Sequence, residues 1–333
     1  MPPGGGREVI MYTEKDNLAF IWRETGNGAE ILRVYSDMPD VCIPEEIGGR
    51  KTVSVGAYCF SEVNRVSNYI SHTEENLPAG SRLCEFCGNN VISISLPDTI
   101  EKIGNNAFYN CRKMVSLEAG ASLKETGSDI FMNCTSFTKL HLRHRADTPG
   151  GLKHIAGRLC THLDVYFYDK GKIHAMLVFP EYTESYDEIA PAHIFGRNIT
   201  GEGFRARQCF DGDIPVLGQY DAIFDKASAE ESVNVIYKMA LGRLMYPFML
   251  GDEAKVKYEK YIKNNQAVIM EILAGNRDIE ALYFICQHKY ADAESIGNAA
   301  AKASQAGWGE GAASLLKWKH EFIGNARKNR YEF

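Results

Sequence analysis

The sequence predicts an α+β protein: a solenoid of short strands and turns with capping hairpins, followed by an all-α array of helical hairpins. Three observations predict it. Apolar residues return at a constant interval of 23 or 24 through the first half of the chain. Two apolar runs flank a polar, glycine-containing turn near residue 170, and after residue 228 the apolar spacing becomes helical.

Taken in order, residues 1–7 (MPPGGGR) are low in complexity and read as a disordered tail. Residues 8–40 read as an N-terminal β cap. Val9 to Tyr12, Leu18 to Trp22 and Ile31 to Val34 are short apolar runs separated by turn-rich segments such as Glu24-Thr-Gly-Asn-Gly28. The repeats occupy residues 41–150. Gly104, Phe108, Cys111, Met114 and Leu117 are each followed 23 residues later by Gly127, Phe131, Cys134, Phe137 and Leu140. Steps of 24 backward from Gly104 give Gly80 and Gly56, with Cys84 and Phe60 in the phenylalanine slot and Cys87 and Val63 in the cysteine slot. Copy two departs at almost every apolar slot, which predicts a bulge or a loop there. No single copy buries its own apolar face, so the copies must stack.

The slots have physical meanings. Ile94 and Leu96, like Leu140 and Leu142, alternate with polar residues and form short strands with their apolar side inward. Pro97 ends its strand because it has no N–H to give. The glycine after Ile103 permits either a positive φ or a close backbone approach. Phe and Cys three residues apart face inward on one tight turn, with cysteine acting as a small hydrophobe.

The runs IPEEIGG (43–49), SVGAYCF (54–60) and LPDTIEKIGNNAFYNC (96–111) resemble the BspA-like class of bacterial leucine-rich repeats, with a proline after the strand, an Ile-Gly, an Ala-Phe and a Cys. The resemblance covers roughly residues 41–142. It implies a right-handed leucine-rich-repeat solenoid that binds other macromolecules, without catalysis. Extracellular relatives bind host proteins, which implies a cell-surface adhesin as the alternative.

Residues 151–227 read as a β-hairpin cap and connector. Asp164 to Tyr168 and Ile173 to Phe179 form the hairpin, and residues 180–227, with Pro180, Pro191 and Pro215, read as irregular. Residues 228–326 read as a C-terminal helical domain and 327–333 as a tail. Ser228-Ala-Glu-Glu231 matches a capping box, while Asp252, Asn265, Asp278 and Asp292 are expected N-caps. Gly307 to Gly311 sets off a last helix, Ala312 to Phe322. The part from Ile279 to Leu316 is loosely similar to ankyrin-type helical pairs, without their Thr-Pro-Leu-His signature.

Thirty-seven Lys and Arg against 43 Asp and Glu give a formal charge of −6, which disfavours nucleic acid. No segment has the apolar length to cross a bilayer, so no membrane insertion is expected. An odd number of cysteines, nine, fits a reducing compartment, and a cytoplasmic location is expected, with cell surface or secretion as the alternative.

Few motifs carry chemistry. Cys84-Glu-Phe-Cys87 has the spacing of a zinc clip or redox pair but lacks a second pair, and repeat register assigns both residues to core slots; a disulfide between them stays open. His141-Leu-Arg-His144 at a strand end reads as surface histidines, and Cys160-Thr-His162 lacks an identifiable orienting partner. Gly201-Glu-Gly203 and Asp211-Gly-Asp213 read as turns. Asn133-Cys-Thr135 and Asn198-Ile-Thr200 match the glycosylation pattern. No catalytic residue, metal or cofactor is expected. The expected function is a non-enzymatic scaffold for a protein partner. Its contact face would be the outward strand positions, with Ser93, Ser116 and Lys139 in one column and Ser95, Glu118 and His141 in the next. The competing enzyme reading draws on His162, Asp187, His193 and Cys209.

Overall fold

The computed structural model describes residues 10–15, 18–63, 83–189 and 194–324. They divide into two compact units, residues 1–174 with 210–215, and residues 175–209 with 216–333.

The first unit opens with three antiparallel strands, β1 (Ile10–Lys15), β2 (Leu18–Thr25) and β3 (Gly28–Ser36). The expected cap strands are therefore present and somewhat longer than their apolar runs. β4 (Asp40–Cys42), β5 (Glu46–Ile47) and β6 (Arg50–Val55) make the first coil, and β7 (Cys84–Glu85) precedes the second. Then β8 (Ser93–Ser95) and β9 (Lys102–Ile103), β10 (Ser116–Ala119) and β11 (Glu125–Thr126), and β12 (Lys139–Leu142) succeed one another at the repeat interval. β13 (Leu163–Asp169) adds a fifth strand to the stack.

The coils up to β11 contribute to two parallel sheets, and β12 and β13 extend the first of them. One runs β4-β8-β10-β12-β13, and the other runs β3-β6-β9-β11 with the cap strands continuing it. Between them Phe60, Phe108 and Phe131 form a ladder, with ring centroids 4.9 and 5.4 Å apart and planes within 15° of parallel. Phe108 is fully buried and Phe131 nearly so, beside buried Cys111 and Cys134. The two cysteines use the carbonyls that the turn leaves over: Cys111 Sγ donates to Phe60 O at 3.1 Å and Cys134 Sγ to Phe108 O at 3.0 Å.

Close approach is what demands glycine at the bend. A Cβ on Gly104 would stand 2.5 Å from Ala57 N, and one on Gly127 would stand 2.4 Å from Asn105 N. The positive φ falls elsewhere, at Asn106, Asp129, Asn110 and Asn133, residue types that tolerate the left-handed region.

Copy two is not a coil. β4 pairs directly with β8, β6 with β9, and the Phe60 ring lies on Phe108. The step from Gly56 to Gly104 is therefore one layer, and the described residues 83–92 add no layer of their own. Gly80 lies outside the described residues. Among them β7 pairs antiparallel with β3, Cys84 is exposed, Cys87 is half-buried, and Phe86 takes the core position against Phe60. The assignment of both cysteines to core slots is thus corrected: a strand that joins the cap follows that sheet's alternation rather than the repeat.

Capping is done by side chains as well as strands. Arg33 on β3 is fully buried and its Nη1 donates to the carbonyls of Tyr58, Cys59 and Ser61, the turn that no earlier coil can satisfy. In the last coil α1 (Leu152–Ala156) replaces the Phe-Cys turn and buries Leu152, Ile155 and Ala156. The chain then turns at Lys170-Gly171 from β13 into β14 (Lys172–Phe179).

The described residues between 180 and 227 are not irregular. They form the hairpin β15 (Thr183–Ile189) and β16 (Ile194–Thr200), the single turn α2 (Gly203–Ala206), α3 (Leu217–Ala222) and α4 (Phe224–Glu230). The short pair β17 (Phe210–Asp211) and β18 (Ile214–Pro215) belongs to the first unit. Then follow α5 (Val233–Met245), α6 (Asp252–Asn264), α7 (Gln266–Asn276), α8 (Ile279–Gln287), α9 (Ala293–Gln305) and α10 (Gly309–Trp318). Ser228 lies inside α4 and Ser232 is the N-cap residue of α5, so the expected capping box is corrected. Asp278 and Asp292 cap as expected, accepting from Ala281 N at 3.0 Å and Ser295 N at 2.8 Å. Asp252 stands one residue late, behind Gly251. At the core of this unit, Arg243 Nε and Nη2 pair with both oxygens of Asp221 at 2.8 and 2.9 Å, and Tyr258 donates to the same carboxylate at 2.7 Å.

Candidate interaction face

The parallel sheet β4-β8-β10-β12-β13 turns every second side chain away from the core. Its register places Asp40, Ser93, Ser116, Lys139 and Asp164 in one row and Cys42, Ser95, Glu118, His141 and Tyr166 in another. Ile94, Leu117, Leu140 and Val165 fill the row between them and are buried. All six expected contact residues thus lie in two neighbouring rows of one sheet. A shallow groove of about 490 Å³ runs over five of them, Ser93, Ser95, Ser116, Glu118 and His141, together with Asp40 and Tyr168. Lys139 is exposed but does not line the groove.

The face is polar and cross-linked. Ser93 Oγ donates to Asp40 Oδ1 at 2.6 Å. Arg143, just past β12, holds three coils together: it pairs with Asp98 and Glu118 at 2.9 Å each, and donates to Ser95 Oγ at 3.0 Å and to the Leu96 carbonyl. His141 stacks on Tyr166 with ring centroids 5.1 Å apart, and its Nδ1 lies 2.9 Å from Tyr168 Oη. Partial burial holds the His141 imidazole below its ordinary value and the Tyr168 phenol above its own, so both are neutral near pH 7. The face therefore offers hydroxyls, a neutral imidazole and a carboxylate already matched by Arg143.

Arg143, Tyr166 and Tyr168 were not among the residues expected on this face. Tyr166 continues the His141 row at a step of 25, not 23, so a fixed interval misses it. Arg143 sits one residue beyond the strand, where alternation has stopped being a guide.

The remaining motifs resolve individually. His144 is not a surface histidine: it is 8% exposed, lies edge-on to Phe167, and shares a hydrogen bond with Arg145 O at 2.9 Å. His162 does have an orienting partner, buried Asp164, at 2.7 Å, while Cys160 is exposed. Asp187 is paired with Asn198 on the 183–200 hairpin, Cys209 is buried with its thiol pushed up by desolvation, and His193 lies outside the described residues. All nine cysteines are free thiols, Cys84 and Cys87 included. Among the described residues no cluster of three or more His, Cys, Asp or Glu side chains could hold a metal ion. No helix of the described residues is long and apolar enough to cross a membrane.

Repeat geometry of this kind defines a class of protein, and comparison with known families agrees. Residues 82–150 match the family model "BspA type Leucine rich repeat region" in six copies. The chain carries a leucine-rich-repeat solenoid of the BspA type followed by a helical region. The stack extends N-terminally beyond the matched segment, since the coil at 40–60 packs on the coil at 93–115 through both sheets. No curated protein matches the chain. Among solved structures it is similar to a leucine rich cell surface protein from Faecalibacterium prausnitzii (19% identity, 41% of this chain and 34% of that one, TM-score 0.27). It is also similar to a leucine rich repeat protein of T. pallidum (18%, 40% and 73%, TM-score 0.23) and to the pneumococcal vaccine antigen PcpA (17%, 42% and 42%, TM-score 0.24). The chain spans about a third of the length of the first of these.

Proposed function

We propose that the chain is a protein-binding scaffold, and that the outward face of the β4-β8-β10-β12-β13 sheet docks its partner. One observation carries the reading. Five strands in register set two straight rows of outward positions, nine of them at least partly exposed, on a support whose apolar rows are buried. A support that does not rearrange loses little entropy on binding, and the half-buried His141, Tyr166 and Tyr168 give rigid aromatic area. The BspA-type repeat favours the cell-surface alternative over the expected cytoplasmic location, and fractionation of the native organism decides between them.

The test uses variants that leave the core alone. Lys139→Glu and Ser116→Arg should lower capture of a partner from the native cell by roughly tenfold or more, as for residues near the centre of an interface, with an unchanged melting temperature. Capture at the wild-type level by both variants would remove this face from consideration.

A further inference from the structure

The first row of the outward sheet begins and ends on opposite charges. Asp40, Ser93, Ser116 and Lys139 succeed one another in register on β4, β8, β10 and β12. Asp40 and Lys139 are exposed, and the two serines between them are half-buried and line the groove. The next position, Asp164, is buried and engaged by His162, so the exposed part of the row stops at Lys139.

These two end charges stand outside the ion pairs that cross-link the face. Arg143 takes Asp98 and Glu118, and Arg145 takes Asp147 and Asp169. Asp40 is met only by the hydroxyl of Ser93, 2.6 Å from Oδ1, which orients the carboxylate and leaves its charge unanswered. Among the described residues the Lys139 side chain has neither an ion pair nor a hydrogen bond.

The spacing of the two charges suits an extended chain laid across the strands. Neighbouring strands lie about 4.8 Å apart, so three steps separate Asp40 from Lys139 by roughly 14 Å. An extended segment rises about 3.3 Å per residue and turns alternate side chains to one side, so residues i and i+4 face the sheet together about 13 Å apart. Residue i+2 then lies over Ser93 and Ser116, where a small side chain lets the segment sit close to the hydroxyls. A segment with two cations would be repelled at Lys139, and one with two anions at Asp40.

We infer that this row docks an extended segment of a partner protein in which a Lys or Arg and an Asp or Glu are separated by three residues, with a small residue midway. The cation pairs with Asp40 and the anion with Lys139. The inference rests on the sheet face being the docking surface, and adds the charge pattern that the face selects.

Three acetylated and amidated peptides carrying an uncharged dye test it, by fluorescence anisotropy with the full chain at low salt. They are Gly-Lys-Thr-Ser-Thr-Glu-Gly and its versions with two lysines or two glutamates. The mixed peptide should bind saturably and about fivefold or more tightly than either like-charged one, and the preference should shrink in about 0.3 M NaCl. Lys139→Glu should make the two-lysine peptide the best ligand, and Asp40→Lys the two-glutamate peptide. Both changes fall at exposed positions, so the melting temperature should not move. No saturation by the mixed peptide up to about 1 mM protein, or an unchanged order of peptides with Lys139→Glu, would overturn the inference. If Lys139→Glu and Ser116→Arg then still lose capture of a partner from the native cell, the charge pattern fails and the docking face stands. If capture is also untouched, both fail.

Discussion

The two units bury their interiors by opposite means. In the solenoid a core residue meets its own counterpart from the next layer: Phe60 meets Phe108, Phe108 meets Phe131, and Cys134 reaches the carbonyl of Phe108. In the second unit the core has no such recurrence. Its centre is the charged group Asp221, Arg243 and Tyr258, drawn from α3, α5 and α6. The repeated core is assembled from many equivalent small contacts, whereas the helical core depends on one polar cluster whose members need one another. Layers that match can be added or set far apart in sequence, as the direct packing of Phe60 on Phe108 shows; a cluster that interlocks cannot lose a member cheaply.

That contrast is broken or upheld most directly by a pair of substitutions. Phe108→Ala removes a ring stacked on both sides and should cost about 4–5 kcal/mol, the upper range for a buried phenylalanine. Asp221→Ala leaves Arg243 buried without its counter-charge and should cost about 3–4 kcal/mol. Urea unfolding followed by tryptophan fluorescence and by circular dichroism measures both. Trp22 lies in the first unit and Trp308 and Trp318 in the second, so a local reporter exists for each unit. A loss of under about 1 kcal/mol for Asp221→Ala would show that the helical core is held by its apolar contacts instead.

Much of this was readable beforehand, and the reason is the same contrast. A 23-residue interval specifies which residues share a layer, so the ladder, the inward cysteines and the two outward rows follow from counting. Counting fails where length varies. Cys84 and Cys87 matched the interval by coincidence, while the segment that carries them joins the cap. The fifth strand, β13, falls off the interval because α1 replaces the turn of the coil before it and lengthens the step to 25. In the second unit, periodicity revealed helices but not the hairpin at 183–200, whose strands are almost entirely polar where described and give no alternation of burial.

The caps sharpen the comparison at the scale of about 1 kcal/mol. Asp292 accepts from Ser295 N at 2.8 Å, and the same contact pulls its carboxyl below the usual range. Asp292→Ala should therefore cost about 1 kcal/mol, and Asp252→Ala, which stands at the first helical position, only a few tenths. Equal losses at the two positions would mean that charge near the helix end, and not the hydrogen bond, sets the effect.

The smallest effect separates the units by pH. Burial holds the imidazoles of His141, His144 and His174, all in the solenoid unit, below the ordinary histidine value of 6.5. The unfolded chain takes up these protons near 6.5 while the folded chain resists until lower pH, so stability is full above 6.5 and falls as pH drops through the folded values. His144 gives the sharpest case. The neutral ring is satisfied by Arg145 O through Nδ1, and Nε2 is buried without a partner, so protonation would bury an unpaired N–H. Between pH 7.5 and 5.5, above the range where carboxylates titrate, the urea midpoint of the first unit should fall, and His144→Gln should fall less. A variant as acid-sensitive as the wild type would place the titration on His141 or His174 instead.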